Sequence, residues 1–257
     1  MPSPHHATLW IALLVGIASG SVGPFILLRR MALVGDALSH VALPGIALAL
    51  MYGVDPFYGV VVFLTMAALL IFWLEGASRV PPDAIVGLLF TASLAVGILI
   101  IPNAEIVESL FGAFPVLSLP FLLVILSTAA VLSLLCLLLA RRFLFLIVSP
   151  DLAKVHGLGR NYDLALLLIF AMIVALGIKL VGTLLMGALT IIPAAVAKNV
   201  SRSMRGYIIL SALLGGAISM GGMWMAGAFR LLPGPSIILF GVSLFLLSLV
   251  VRRNRAA

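Results

Sequence analysis

An aspartate and a histidine, Asp36 and His40, stand four positions apart in the otherwise almost entirely apolar stretch LRRMALVGDALSHVALPGIALAL. Positions i and i+4 of an α-helix lie on one face, with Cβ atoms about 5–6 Å apart. A carboxylate and an imidazole placed in this way can bind a divalent cation, and this ligand mix suits zinc, manganese or ferrous iron. Because structural zinc sites use about four ligands, two side chains predict a site for transit rather than for permanent binding.

Two neighbours could add ligand atoms to this pair. Ser39 carries a hydroxyl beside His40, and Pro44 lacks the N–H that would bond to the carbonyl oxygen of His40. The pair also has a purely structural interpretation, in which a neutral Asp–His hydrogen bond fixes the helix. Ionisable side chains inside membrane helices are nevertheless functional-site candidates by default.

The elements that hold these residues are predicted to be membrane-spanning helices. The chain has 257 residues, of which 64% are hydrophobic and 9% charged, and its mean hydropathy is +1.33. Soluble domains are about 45–50% apolar and about 25% charged, so this composition indicates an integral membrane protein. The N-terminus lacks the basic region of a cleaved signal, and we expect the first apolar run to be retained.

A spanning helix needs roughly 20 mostly apolar residues. This length selects nine segments: 8–28, 31–53, 57–75, 84–102, 119–140, 162–180, 181–199, 206–229 and 236–251. They predict an all-α, polytopic helical bundle with about nine spans, or eight if 162–199 is divided differently, in a single domain over 1–257. The run 103–118 is expected at the membrane interface. Gly16, Gly20 and the cluster GGAISMGG offer small-residue faces for close helix packing.

The basic residues predict the orientation of the bundle. With the C-terminus in the cytoplasm, only Lys179 and Arg230 fall on the external side, and the N-terminus is external. The other thirteen lie on the cytoplasmic side, as positive-inside topology requires: Arg29, Arg30, Arg79, Arg141, Arg142, Lys154, Arg160, Lys198, Arg202, Arg205, Arg252, Arg253 and Arg255. The net charge of +7 therefore reflects basic cytoplasmic loops and does not indicate nucleic-acid binding.

A second informative stretch is SPDLAKVHGLGRNYD, from Ser149 to Asp163. Ser149, Pro150 and Asp151 form a helix-start pattern, and two glycines follow. In the predicted orientation this segment lies in the cytoplasm, where a short amphipathic helix could dock on a partner. An ordinary loop helix is the alternative. A further proline, Pro193, is expected to open the helix within 181–199 near the path.

Several enzyme classes are excluded by motifs that the sequence lacks. The phosphate loop G-x-x-x-x-G-K-[ST] does not occur, so the chain cannot hydrolyse ATP by that chemistry. The zinc-protease motif H-E-x-x-H does not occur either, and Asp36 has no second carboxylate at the same depth. The chain is therefore predicted to be no enzyme, and we assign no role to His5 and His6.

The run RRMALVGDALSHVALPGIALAL closely resembles the early helix of the permease subunits of bacterial zinc, manganese and iron ABC transporters, in which a double-basic turn precedes a G-D-A-L-S-H pattern. The resemblance continues through PPDAIVGLLFTASLAVGILI, PDLAKVHGLG, LVGTLLMGALTIIPAAVAKNV and LPGPSIILFG, in the same order and spacing. It thus covers nearly the whole chain. One departure is that Val148, Ser149 and Pro150 precede Asp151, where the family usually has an aromatic and an acidic residue.

The resemblance implies a homodimer in the bacterial inner membrane, surrounded by lipid, with the cation path at or near the dimer axis. Two ATP-binding subunits and an extracytoplasmic metal-binding protein are the implied partners. Asp36 and His40 match the transit ligands, no cofactor is permanently bound, and a divalent metal ion is the cargo. The coupling helix matches 150–159, within a cytoplasmic coupling segment at 149–160. Its predicted contact residues are Asp151, Leu152, Ala153, Lys154, Val155, His156 and Gly157.

Two other functions remain open at this point. A stand-alone secondary transporter or channel would use the same Asp–His pair without an ATP-binding partner. An ABC permease for a metal chelate would use the same fold, but a chelate brings its own ligands and does not need Asp36 and His40. An intramembrane enzyme is disfavoured because a second catalytic group is missing.

Overall fold

The computed structural model describes residues 4–100, 119–183 and 185–256, and within these ranges the chain forms helices and no strands. The prediction of an all-α bundle is confirmed. The helices are α1 (Pro4–Leu28), α2 (Ala32–Met51), α3 (Pro56–Ala77), α4 (Pro82–Ile100), α5 (Leu119–Val148), α6 (Pro150–Val155), α7 (Arg160–Val181), α8 (Met186–Val200), α9 (Met204–Phe229) and α10 (Pro233–Ala256).

Seven helices of the described part are long and apolar enough to cross a membrane, namely α1, α2, α3, α5, α7, α9 and α10. Helices α4 and α8 are apolar but shorter. Together these nine helices correspond to the nine predicted segments, while the number of spans and the orientation stay predictions. The segment 103–118, expected at the interface, lies outside the described residues.

Two predicted boundaries differ from the structure. The segment predicted at 119–140 continues to Val148, because Arg141 and Arg142 lie on exposed faces where the helix can carry charge. The segment predicted at 181–199 begins only at Met186. Gly182 has φ +83°, a conformation that favours glycine, and it ends α7 with its N–H donating to Ile178 O at 2.8 Å. The connection 182–185 therefore separates α7 from α8.

Helix α1 forms the centre of the bundle and packs against α5, α7, α8 and α9. Its contact with α9 uses the small residues that the sequence analysis identified. A Cβ atom added to Gly16 would overlap the carbonyl oxygen of Gly215, and one added to Gly20 would overlap that of Ser211. Ser211 Oγ also donates to Gly20 O at 2.6 Å. Close backbone approach and hydrogen bonding thus join α1 to α9, as expected for helices that associate in lipid.

Gly215→Leu is expected to destabilise the protein by roughly 1–3 kcal/mol or more, because its side chain would push α1 and α9 apart. A Cβ at position 215 would overlap Gly16 O, whereas Gly227 in the same helix has open space around it. The midpoint of thermal unfolding in detergent measures the effect, with Gly227→Leu as the control. Equal midpoints for the two variants would contradict this packing.

The two ends of the bundle differ in charge. At one end, the turn after α1, the end of α5 and the start of α7 surround a cleft of about 320 Å³ lined by Arg29, Arg30, Arg160 and Asp163. We call this the basic end. At the opposite end, Lys179 Nζ donates to Asp55 Oδ1 at 3.3 Å, and Asp55 also accepts a 2.8 Å hydrogen bond from the N–H of Phe57 at the start of α3.

Candidate metal-transit site

Helix α2 places Asp36 and His40 inside the bundle, where it packs against α3, α4 and α8. Every residue from Val34 to Ala47 is buried except Asp36, which is half-buried. His40 is only 7% exposed. Because one helix carries both side chains one turn apart, they lie on a common face, and the carboxylate is at its open edge.

The carboxylate of Asp36 lies directly against the first turn of α8. A Cβ atom added to Gly187 would overlap Asp36 Oδ1, and one added to Gly35 would come within 3.0 Å of the Gly187 Cα. The N–H groups in the first turn of a helix have no partner within that helix and form the positive end of its dipole. Helix α8 begins at Met186, so the start of this helix lies beside the acidic side chain of Asp36.

The imidazole of His40 is held by an aromatic side chain of α4. The ring of Phe90 packs edge-on against it, with ring centroids 4.8 Å apart and an interplanar angle of 86°. His40 Nδ1 is buried and has no hydrogen-bond partner. Buried imidazole nitrogens normally have partners, so this one is a candidate ligand atom for a cation in the tautomer that leaves it unprotonated.

Ser39 does not point its hydroxyl proton at the Asp–His pair. Its Oγ is fully buried and donates to the carbonyl oxygen of Gly35 at 2.7 Å, one turn back in the same helix. Ser39 could still bind a cation through the lone pairs of its hydroxyl oxygen, and this accessory role stays a prediction.

Neither Pro44 nor Pro193 interrupts its helix, which differs from the expected helix breaks. Helices α2 and α8 run through them, and both prolines are buried. At Pro44 the helix lies against α4, where a Cβ atom added to Gly97 would be 3.5 Å from Pro44 Cδ, an ordinary van der Waals contact. Each proline still leaves the carbonyl four residues earlier without its usual donor, so His40 O remains available.

No cluster of three or more His, Cys, Asp or Glu side chains occurs in the described part of the chain. A neighbouring cleft of about 510 Å³ between α2, α3 and α4 includes Val41 and is lined by apolar side chains apart from Ser93. Apolar walls give a bare cation no ligands. The Asp36–His40 pair is therefore the best candidate for binding a cation in the described part of one chain.

The predicted docking segment forms a short helix, α6, at the basic end of the bundle. Ala153 is fully buried, whereas the apolar side chains of Leu152 and Val155 are 56% and 81% exposed. Asp151 is exposed, and His156 Nδ1 donates to Leu152 O at 2.9 Å. Gly157, with φ +72°, ends the turn, and the placement of the Lys154 side chain is not described. The exposed side chains of Leu152 and Val155 give this small helix an apolar outer surface.

Sequence reasoning missed the roles of Phe90 and Gly187. Both lie in stretches that the sequence analysis selected, but periodicity cannot tell which residues of two helices far apart in sequence meet. The available signal for Gly187 was its small size, which lets another helix approach closely.

Phe90→Leu is expected to weaken metal binding roughly tenfold, because groups that orient a ligand contribute on this scale. Leucine fills the space but lacks the aromatic edge that holds the His40 ring. The half-saturating metal concentration for transport, measured with membrane abundance, tests this. Phe121→Leu is the control, since Phe121 packs with Phe57 at the opposite end of the bundle.

The chain matches the model of the ABC 3 transport family over residues 5–252. It is 31% identical to the manganese import system permease protein ScaB of Streptococcus gordonii over 93% of this chain and 88% of that protein. It is 32% identical to the high-affinity zinc uptake system membrane protein ZnuB of Haemophilus influenzae over 96% of this chain and 98% of that protein.

The fold is also found in a solved structure. The chain superposes on a chain of PsaBC from Streptococcus pneumoniae, determined in complex with Fab, with a TM-score of 0.83 and 33% identity. The superposition covers 95% of this chain and 90% of the other. The arrangement of helices around Asp36 and His40 therefore occurs in a protein of known structure.

Proposed function

Because the chain belongs to the ABC 3 transport family, we propose that it is the permease subunit of an ATP-driven importer of manganese, zinc or ferrous iron. The observation that carries the proposal is the Asp36–His40 pair, set on one face of a buried helix with His40 Nδ1 unpaired. Relatives named for manganese and for zinc transport support the same class of cargo. The chain is a multi-pass integral membrane protein of the bacterial inner membrane.

The basic end of the bundle is the cytoplasmic side in this proposal, as the distribution of Lys and Arg predicts. Two copies of an ATP-binding subunit dock there on α6, through Leu152 and Val155. The exposure of these two apolar side chains supports the assignment. ATP hydrolysis takes place in those subunits, and an extracytoplasmic metal-binding protein delivers the ion at the opposite end.

The permease acts as a homodimer with the ion path at or near its axis. One chain supplies only two ligands, fewer than the four to six that a divalent cation takes. Two facing pairs would supply four side-chain ligands, and the carbonyl of His40, to which Pro44 cannot donate, could add an oxygen from each chain. Such a site replaces part of the hydration shell of the ion, yet it is open enough to release it.

Asp36, His40 and Phe90 have different roles in this mechanism. Asp36 supplies a carboxylate oxygen that lies beside Gly187 in the first turn of α8. His40 supplies an imidazole nitrogen, and Phe90 and the packing of α4 fix its ring. Movement of α6 by the ATP-binding subunits switches the path between outward-open and inward-open states. No covalent chemistry occurs in this chain.

Uptake of radiolabelled manganese and zinc, supplied separately, tests the proposed function. Cells should express this chain with its ATP-binding subunit and metal-binding protein, and parallel cells should lack either the chain or the ATP-binding subunit. We expect uptake only in the complete system. Equal uptake without the ATP-binding subunit would favour a secondary transporter, and uptake of a metal chelate but not of the free ion would favour a chelate permease.

A further inference from the structure

The basic end carries a second group of charged side chains that the transit site does not use. Arg29 follows α1, Glu75 lies near the end of α3, and Asp163 is in the first turn of α7. Arg29 Nη2 donates to Asp163 Oδ1 at 2.8 Å, and the two side chains are 19% and 26% exposed. Arg160 interacts with the same group, but it donates through Nη2 to Phe72 O at 2.7 Å.

Two polar atoms within this group are buried without a hydrogen-bond partner. They are Nη1 of Arg29 and Oε1 of Glu75. Glu75 is within electrostatic range of Arg29, Asp163 and Arg160. A buried polar atom without a partner is costly. The guanidinium has five donors, and its pairing with Asp163 leaves Nη1 without a partner, so Glu75 on a different helix is a second candidate partner.

The two carboxylates lie on elements that lead to different parts of the molecule. Segment 149–160 leads directly into α7, and Asp163 lies in the first turn of that helix. A displacement of the segment therefore moves Asp163 as well. Glu75 lies on α3, which packs along α2. When Arg29 is paired with Asp163, it is connected to segment 149–160. When it is paired with Glu75, it is connected to α3 and so to the helices around the transit site.

Arg29 is also joined rigidly to α2. Only residues 29–31 separate α1 from α2, and this turn is closed by hydrogen bonds from Met31 N–H to Ile26 O at 3.1 Å and from Arg30 N–H to Leu27 O at 3.3 Å. Arg30 adopts φ +60°, the left-handed conformation that this cap requires. A three-residue turn with fixed backbone bonds passes a displacement of Arg29 to the first turn of α2, one turn before Asp36.

We propose that Arg29 exchanges between Asp163 and Glu75 during the transport cycle and thereby couples segment 149–160 to the helix that carries Asp36 and His40. This rests on the proposed function, since it requires an ATP-binding subunit that acts on the segment. The three side chains are positioning residues, and none of them binds the metal. Together they form the two-state element that coupling between distant sites needs.

Thiol cross-linking in the complete transporter tests the change in spacing between positions 29, 75 and 163 that the exchange requires. In a Cys136→Ser background, one variant carries Arg29→Cys with Asp163→Cys and the other Arg29→Cys with Glu75→Cys. Without nucleotide we expect a short cross-linker to join 29 to 163 preferentially. A non-hydrolysable ATP analogue is expected to lower that yield at least about threefold and to raise the 29–75 yield. Yields that do not respond to the analogue would overturn the proposal.

Transport measurements give a second, independent readout. Glu75→Gln and Asp163→Asn each remove one of the two partners, and each is expected to lower the metal imported per ATP hydrolysed roughly tenfold while hydrolysis continues. Asp83→Asn is the control, because Asp83 is an exposed carboxylate at the start of α4. Unchanged import per ATP in both variants would overturn the exchange. Cross-linking needs no metal, so failure of the Asp36–His40 site would not alter it.

Discussion

Asp36→Asn and His40→Ala are each expected to lower metal import by about a hundredfold or more. Groups that only orient a metal ligand contribute about 10–100-fold, and a ligand itself contributes at least as much. Asparagine keeps the shape of the aspartate and the packing against Gly187, but it removes the negative charge that attracts the cation. Import of radiolabelled manganese and zinc, corrected for membrane abundance, measures the effect.

Ser133→Ala is the control for both substitutions. It removes a buried hydroxyl from α5, where Ser133 Oγ donates to Ala129 O at 2.7 Å, and Ser133 has no part in the proposed site. We expect its import to stay within about twofold of wild type, since an intrahelical serine bond contributes little to helix stability. If the control loses import as strongly as Asp36→Asn, import responds to any change in the buried part of the bundle and the ligand assignment is wrong.

Leu152→Asp and Val155→Asp are expected to abolish metal-dependent transport by preventing stable docking of the ATP-binding subunit. These side chains are 56% and 81% exposed on α6, and a charge on either would have to be buried against the partner without a counter-ion. An unpaired charge in the middle of an interface weakens binding by roughly 2–5 kcal/mol, or about 30-fold to several thousandfold. Co-purification with the ATP-binding subunit measures this binding.

The permease itself should fold normally in both variants, because neither side chain contributes to the buried core. Val80→Asp is the control, since Val80 is 48% exposed in the connection between α3 and α4. Co-purification equal to wild type in both α6 variants would exclude α6 as the docking helix, even though its position at the basic end is fixed by the fold.

Helix existence could be predicted from composition, whereas helix ends could not. Nine apolar segments of sufficient length were visible in the sequence, and each corresponds to a helix. Two predicted helix ends were wrong. The charges of Arg141 and Arg142 predict the end of a span, but α5 continues through them to Val148 because both side chains are exposed. The break after α7 depends on a single backbone conformation at Gly182, which hydropathy does not register.

Only the part of the candidate site that lies on a single helix could be predicted from the sequence. The spacing of Asp36 and His40 fixes their common face through local geometry, so sequence was sufficient for that pair. Phe90 and Gly187 reach the site from α4 and α8 through tertiary packing, which has no local pattern. The Arg29–Asp163 ion pair joins residues more than 130 positions apart and was equally invisible, although each residue was recognised as lying near the same membrane surface.

The most direct test of the central claim is a change in metal selectivity on replacing His40 with cysteine. A thiolate is a softer ligand than imidazole and favours cadmium and zinc over manganese. If His40 touches the ion in transit, import of cadmium relative to manganese by the complete transporter should rise at least about tenfold in His40→Cys. An unchanged ratio, with import retained, would show that His40 does not bind the transported metal and would contradict the account.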